Sequence, residues 1–184
     1  MNNLYSLNYL KNIGVKILGK NIKISKYARI YNPTKLTIYD NVRIDDFTII
    51  SGKGNVVLNN YIHIGAGCLL SSSSNIIIDN FSGLSHGVKI FGGSDDYSGE
   101  YMTNPTVPKE YLGVLYGDVI INKHCIIGTN SILLPNIELG EGTAVGAQSL
   151  INKNTLEWNI YAGNPARKIK KRSKNCKFLS ENII

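Results

Sequence analysis

From Ile121 to Ile151 an aliphatic side chain returns at every sixth residue: Ile121, Ile127, Leu133, Leu139, Val145 and Ile151. A small or β-branched residue follows each by four places, at Cys125, Ser131, Ile137, Thr143, Ser149 and Thr155. This period fits neither a helical turn of about 3.6 residues nor the alternation of one long strand; it fits short strands separated by regular corners. The same template runs backward through Leu18, Ile24, Ile30, then Ile38, Ile44, Ile50, then Leu58, Ile64, Leu70, and then Ile78, Leu84, Ile90. Two extra residues after every third hexad (Leu36-Thr37, Val56-Val57, Ile76-Ile77) set a longer period of 20 there, against 18 between Ile121 and Leu139. Three hexads therefore make one unit, a three-sided coil.

Strand geometry turns the aliphatic residue and the residue two before it to the same side, the inside of the coil. On this reading Ile22, Ala28, Thr34, Val42, Thr48, Gly54, Ile62, Cys68, Ser74, Ser82, Val88 and Ser94 fill the second inward place of the earlier coils. The chain is expected to be all-β, a parallel β-helix of about six triangular coils with one large loop after the fourth. Stacking at about 4.8 Å per coil gives a prism roughly 29 Å tall, whose end coils are open sheet edges. Residues 1–17 are expected to cap one end, with a short helix within residues 4–13 stopped at Gly14. The β-helix is assigned to residues 18–156, and residues 157–184 form a closing segment and tail.

After Ser94-Asp95 the register breaks, and a loop of residues 97–120 intervenes before the next coil. It carries Tyr97, Tyr101, Pro105, Pro108, Tyr111 and Tyr116, a content that favours an ordered, packed loop over a linker. A long loop on a rigid scaffold is where binding and chemistry concentrate.

The formal charge is +7, yet from Ala166 onward seven basic residues stand against one acid, so the body is nearly neutral. Without a basic face interleaved with aromatics, nucleic acid is not an expected partner. The tail cations (Arg167, Lys168, Lys170, Lys171, Arg172, Lys174, Lys177) are a candidate for peripheral contact with an anionic membrane. No long apolar run exists and the start, Met1-Asn2-Asn3-Leu4-Tyr5, lacks a signal pattern. The expected location is cytoplasmic, at the inner membrane face if the tail makes that contact. Cys68 and Cys125 fall on the small-residue place of the hexad and are read as packing residues.

The hexads, the loop after coil four and the segment Tyr161-Ala-Gly-Asn-Pro-Ala-Arg-Lys-Ile169 together resemble the left-handed β-helix acyltransferases. This hexapeptide-repeat family includes galactoside, xenobiotic and polysaccharide O-acetyltransferases, and the resemblance covers about residues 18 to 170. It implies left-handed coils, a homotrimer, and acetyl-CoA as co-substrate in a groove between neighbouring prisms, with no metal. Carried over residue by residue, Thr129, Ala147, Asn152 and Lys153 match CoA contacts, and Arg167 and Lys170 lie near the 3′-phosphate. A small residue such as Ala147 admits the thin pantetheine arm, and cations answer phosphates. Carbonic-anhydrase-like β-helices hold zinc through three histidines, but His63, His86 and His124 are not spaced for that site.

Acetyl transfer to a hydroxyl needs a base, and histidine suits neutral pH. The sugar and xenobiotic members of the family carry it at the sixth place of the hexad before the loop, where this chain has Asp95, followed by Asp96. His86, one corner earlier in the same coil, is then the candidate base, with Asp95 or Asp96 orienting it directly or across the trimer interface. His124 is the alternative base, and His63 is read as structural. An amine acceptor would lessen the need for a base, and Asp95 and Asp96 would then position an amino sugar or accept a proton. Ser71 to Ser74 are open to an acceptor sugar or to solvent. The expected function is acetyl-CoA-dependent O-acetylation of a sugar in surface-polysaccharide assembly, of O-antigen or capsule. The alternatives are N-acetylation of a nucleotide-linked amino sugar and a non-catalytic β-helix scaffold.

Overall fold

A computed structural model describes residues 3–183; Met1, Asn2 and Ile184, part of the expected cap and tail, lie outside the described residues. Short parallel strands stack into three flat faces. The first face comprises Lys16–Ile17, Leu36–Ile38, Val56–Leu58, Ile76–Ile78, Val119–Ile121 and Ile137–Leu139. The second comprises Lys23–Ile24, Val42–Ile44, Ile62–Ile64, Gly83–Leu84, Ile126–Ile127, Ala144–Val145 and Asn159–Gly163. The third comprises Arg29–Ile30, Ile49–Gly52, Leu69–Ser72, Lys89–Phe91, Ile132–Leu133 and Leu150–Ile151. Among the described residues this makes six complete coils and one side of a seventh, the all-β solenoid that the hexads imply.

The period works because like residues stack. Ile78 pairs with Leu58 below and Ile121 above, and Ile121 with Leu139. The resulting aliphatic columns, Ile24, Ile64, Leu70, Ile90, Ile127 and Leu133 among them, are fully buried. Truncating any one to alanine should cost about 2–5 kcal/mol. Hydroxyls at the second inward place remain satisfied: Ser82 Oγ donates to Asn122 O (2.9 Å) and Ser131 Oγ to Gly146 O (2.8 Å). Cys68 and Cys125 do likewise toward Ser85 O and Gly140 O, and burial pushes their thiols up to about 11 and about 12. They are packing residues.

Two details of the hexad reading are corrected. At the third corner, between the third face and the next coil, Leu36, Val56 and Ile76 take the inward place. Thr34 is exposed, and Gly54, Ser74 and Ser94 are half-buried corner residues. The two extra residues lengthen that corner, and the pleat of the strand itself decides which pair turns inward. Leu18 is 63% exposed, and Ile17 pairs with Ile38 in its stead. The first corner of the first coil simply holds one more residue than those above it.

At the lower end, helix α1 spans Leu7–Asn12, shorter than the expected 4–13. Ser6 Oγ accepts the Tyr9 N–H at its start, and Gly14 follows its end at φ +101°. Leu10 is fully buried against the core, while Tyr5 N–H donates to Ile24 O and Lys26 N–H to Asn3 O along the open edge. At the upper end Asn159–Gly163 pairs antiparallel with Ala166–Lys171, and helix α2, Asn175–Ser180, follows. The basic tail folds onto the prism: Arg172 Nη1 donates to the carbonyls of His124 (2.7 Å) and Gly142 (3.0 Å), and Lys177 meets Glu141 at 3.1 Å. Among the described residues no helix is long and apolar enough to cross a membrane.

The loop is ordered. Gly93–Ser94 pairs antiparallel with Leu115–Tyr116, and Lys109–Tyr111 forms a 3₁₀ turn. It ends earlier than residue 120, since Val119 and Ile120 already belong to the first face. It is not packed as expected: Tyr97, Tyr101, Met102, Tyr111, Leu115 and Tyr116 are all more than half exposed.

Candidate functional site

At the second corner, between the second and third faces, backbone bonds define a vertical column. Gly67 N–H donates to Asp46 O (2.9 Å), Gly87 N–H to Ala66 O (2.9 Å), Asn130 N–H to His86 O (3.0 Å) and Gln148 N–H to Thr129 O (2.8 Å). Asp46, Ala66, His86, Thr129 and Ala147 therefore stand above one another, a coil step of about 4.8 Å apart. The proposed base and two proposed CoA contacts, far apart in sequence, share one edge. His86, Thr129 and Ala147 are all exposed there.

At the top of the prism Asn152 and Lys153, which follow the strand Leu150–Ile151 at the opposite edge of the third face from Ala147, converge with Asn154, Tyr161, Arg167 and Lys168 around a cleft of about 410 Å³. Lys170 is not among its lining residues, and lies opposite Ile160 in the closing hairpin. Lys168, which the sequence reading passed over as a site residue, lines the cleft. The cations of this cleft suit a phosphate, and the small residues of the corner column leave room for a thin ligand.

Asp95 and Asp96 follow Gly93–Ser94 at the far end of the strand Lys89–Phe91, whereas His86 precedes that strand. Within one chain they occupy opposite edges of the third face, and the direct contact left open by the sequence is not made. Asp96 accepts from Ser98 N–H, Ser98 Oγ, Gly99 N–H and Tyr101 N–H. The Ser98 hydroxyl and these amides hold its carboxyl below the usual carboxylate range. It is committed to the loop turn. Asp95 receives only the Asn104 N–H, at 3.3 Å, among the described residues, so its carboxylate is the one open to a substrate.

His124, the alternative base, stands apart from the His86 edge. It lies at the first corner, 8% exposed, stacked on Phe81 at 5.4 Å and beside Trp158 at 5.9 Å. Burial pushes its pKa down. His63 points outward from the second face and bonds Asp45 at 2.8 Å. Of the serine run, Ser72 turns inward to Ser51 O and Gly54 O and Ser74 bonds the Asp118 carboxylate, so two of the four are structural. No group of three or more His, Cys, Asp or Glu able to hold a metal occurs among the described residues.

No family model matches the chain. It is 40% identical over 166 residues to the dTDP-4-amino-4,6-dideoxy-D-glucose acyltransferase of Escherichia coli, covering 90% of this chain and 86% of that one. It is also similar to AntD, an N-acyltransferase from Bacillus cereus, whose crystal structure in complex with dTDP and 3-hydroxybutyryl-CoA gives a TM-score of 0.94 at 43% identity. That match covers 100% of this chain and 97% of AntD. A serine variant of AntD, in complex with dTDP-4-amino-4,6-dideoxyglucose and coenzyme A, gives 0.94 at 42% identity over the same shares of the two chains. Other AntD structures replace an aspartate ten positions after that serine. This whole-length similarity to an enzyme that acylates nitrogen overturns the expectation of sugar O-acetylation.

Proposed function

The chain belongs to the hexapeptide-repeat, left-handed β-helix acyltransferases, and within that family we propose that it transfers an acyl group from acyl-CoA to the amino group of a dTDP-linked 4-amino-4,6-dideoxy sugar. The carrying observation is the 43% identity to AntD over the full length. Asp95 supports it from the chain itself, standing open where the hydroxyl-acylating members carry histidine. The only serine followed ten residues later by an aspartate in this sequence is Ser85, with Asp95. That spacing matches the serine and aspartate replaced in AntD, and this reading takes the two pairs as counterparts.

Ser85 and His86 sit at one edge of the third face and Asp95 at the other, so the complete site takes the corner of one chain and the loop base of its neighbour in a homotrimer. The exposed tyrosines of the loop find cover in that arrangement. The pantetheine arm lies along Ala147 and Thr129. The 3′-phospho-ADP meets Asn152, Lys153 and Arg167, with Lys170 and Lys168 adding positive charge. Asp95 pairs with the sugar ammonium and aims its nitrogen at the thioester carbonyl, with Ser85 beside it. The ammonium first gives one proton to solvent, and as the neutral nitrogen forms the N–C bond the imidazole of His86 takes a second. The C–S bond then breaks, and His86 hands that proton to the departing CoA thiolate. Nucleotide sugars and acyl-CoA meet in the cytoplasm, which is where this reading places the enzyme.

The test is incubation of the full chain with dTDP-4-amino-4,6-dideoxyglucose and either acetyl-CoA or 3-hydroxybutyryl-CoA, followed by thiol release and mass spectrometry. Amide formation with stoichiometric thiol is expected, and dTDP-glucose, which lacks the amine, should give none. Comparable acylation of dTDP-glucose, or no amide from any dTDP-linked amino sugar, would refute the reading.

A further inference from the structure

The residue that turns the second corner has a left-handed backbone in successive coils: Phe47 (φ +60°), Gly67 (+70°), Gly87 (+72°), Asn130 (+58°) and Gln148 (+55°). Such a backbone favours glycine, yet this fold does not demand it, since Phe, Asn and Gln take the same place. Gly67 is therefore better explained by room than by conformation, whereas a Cβ on Gly87 would meet the Asn130 side chain. The corner directly below His86 is Gly65-Ala66-Gly67, with nothing larger than a methyl, and a Cβ on Gly67 would meet no atom within 4 Å. One coil lower the chain bears Asp46 and the exposed ring of Phe47, beside Tyr27 at 6.0 Å between ring centroids. The edge thus carries a notch, with His86 above it and Phe47 and Asp46 at its floor.

This inference rests on the acyl-CoA reading above. Pantetheine descending from Ala147 past Thr129 brings its thioester to the level of His86. The acyl substituent, on the side of the carbonyl away from sulfur, then points down into the notch. We propose that Gly67 sets the length of the acyl group, and that the site takes four-carbon acyl chains rather than acetyl alone. A coil step is about 4.8 Å. A four-carbon acyl group reaches roughly 4 Å beyond its carbonyl carbon, through three C–C bonds of about 1.5 Å. An acetyl methyl reaches only about 1.5 Å and leaves most of the notch open. The longer chain ends over Gly67, short of Phe47.

The wild type, Gly67→Asn and Gly67→Phe are compared with acetyl-CoA, butyryl-CoA and 3-hydroxybutyryl-CoA, using dTDP-4-amino-4,6-dideoxyglucose as acceptor. Asn130 and Phe47 show that this corner accepts both side chains, and circular dichroism checks the fold. The wild type should use the four-carbon donors at least as well as acetyl-CoA. Both variants should lower the ratio of four-carbon to acetyl kcat/KM by about tenfold or more, the scale of a misfitted apolar pocket. A wild type confined to acetyl-CoA, or variants whose ratio is unchanged, would overturn the proposal while leaving the acyltransferase reading intact. Failure of the wild type with all three donors would overturn both.

Discussion

Gly142 stands in the first-corner column between His124 and Trp158, and an alanine there has a consequence that a matched alanine elsewhere does not. Its φ is +69°, and an added Cβ would lie 2.5 Å from atoms of the Trp158 ring. Gly67 has nearly the same φ, +70°, but its Cβ would enter open space. Left-handed backbone costs about 1–2 kcal/mol for a residue with a Cβ, offset by about 0.4–1 kcal/mol from the reduced entropy of the unfolded chain. Gly67→Ala should therefore lose about 1 kcal/mol. Gly142→Ala carries the same cost plus about 1–3 kcal/mol of overpacking, because the indole must leave its place beside His124. Trp158 is the only tryptophan, so its fluorescence reports this corner directly. Urea unfolding at one fixed protein concentration removes the mass-action contribution of assembly. Gly142→Ala should unfold at clearly lower urea than Gly67→Ala with a blue or red displacement of native emission, and equal midpoints with unchanged emission would refute the packing argument.

Burial lowers the pKa of His124, so as pH falls the unfolded chain takes up this proton first, and stability drops from the ordinary histidine range down through the folded value. His124→Phe keeps a ring in the stack, since Phe81 holds the same left-handed backbone at φ +59°, and its Tm should vary less between about pH 7 and 5; parallel Tm curves would sink the assignment. Asp95→Asn should raise KM for the amino sugar and lower kcat/KM about a hundredfold, while His86→Ala should act mainly on kcat by about the same factor. Steady-state kinetics near wild type for either variant would remove that residue from its role. Arg167→Ala should raise KM for acyl-CoA about tenfold at low salt and less for the dephospho-CoA thioester; an equal effect on both donors would show that Arg167 does not meet the 3′-phosphate. Arg172→Ala breaks two charge-assisted bonds to carbonyls and should cost about 2–3 kcal/mol, with faster tryptic cleavage of the tail; unchanged proteolysis would show that the tail is held by other contacts.

The hexads by themselves determined the fold class, the coil count to within one side, the interior column and the packing role of Cys68 and Cys125. Each is written locally, because a strand turns alternate residues inward whatever lies far along the chain. At Leu18 and at Thr34, Gly54, Ser74 and Ser94 corner length rather than strand alternation decides the register, and the hexad template does not hold there. The aspartates in place of histidine were visible and raised the amine acceptor, but ranking nitrogen above oxygen took similarity along the whole chain. Only the tertiary structure decided that His86 shares an edge with Thr129 and Ala147, that Asp95 lies on another, and that His124 is sealed in an aromatic stack. Stacking across the loop joins residues 43 apart, as Ser82 and Cys125 are, whereas the coils below it repeat every 20. Which residues meet along a corner is thus set by backbone bonds between coils and by the length of the loop between them, and neither is carried by any single hexad.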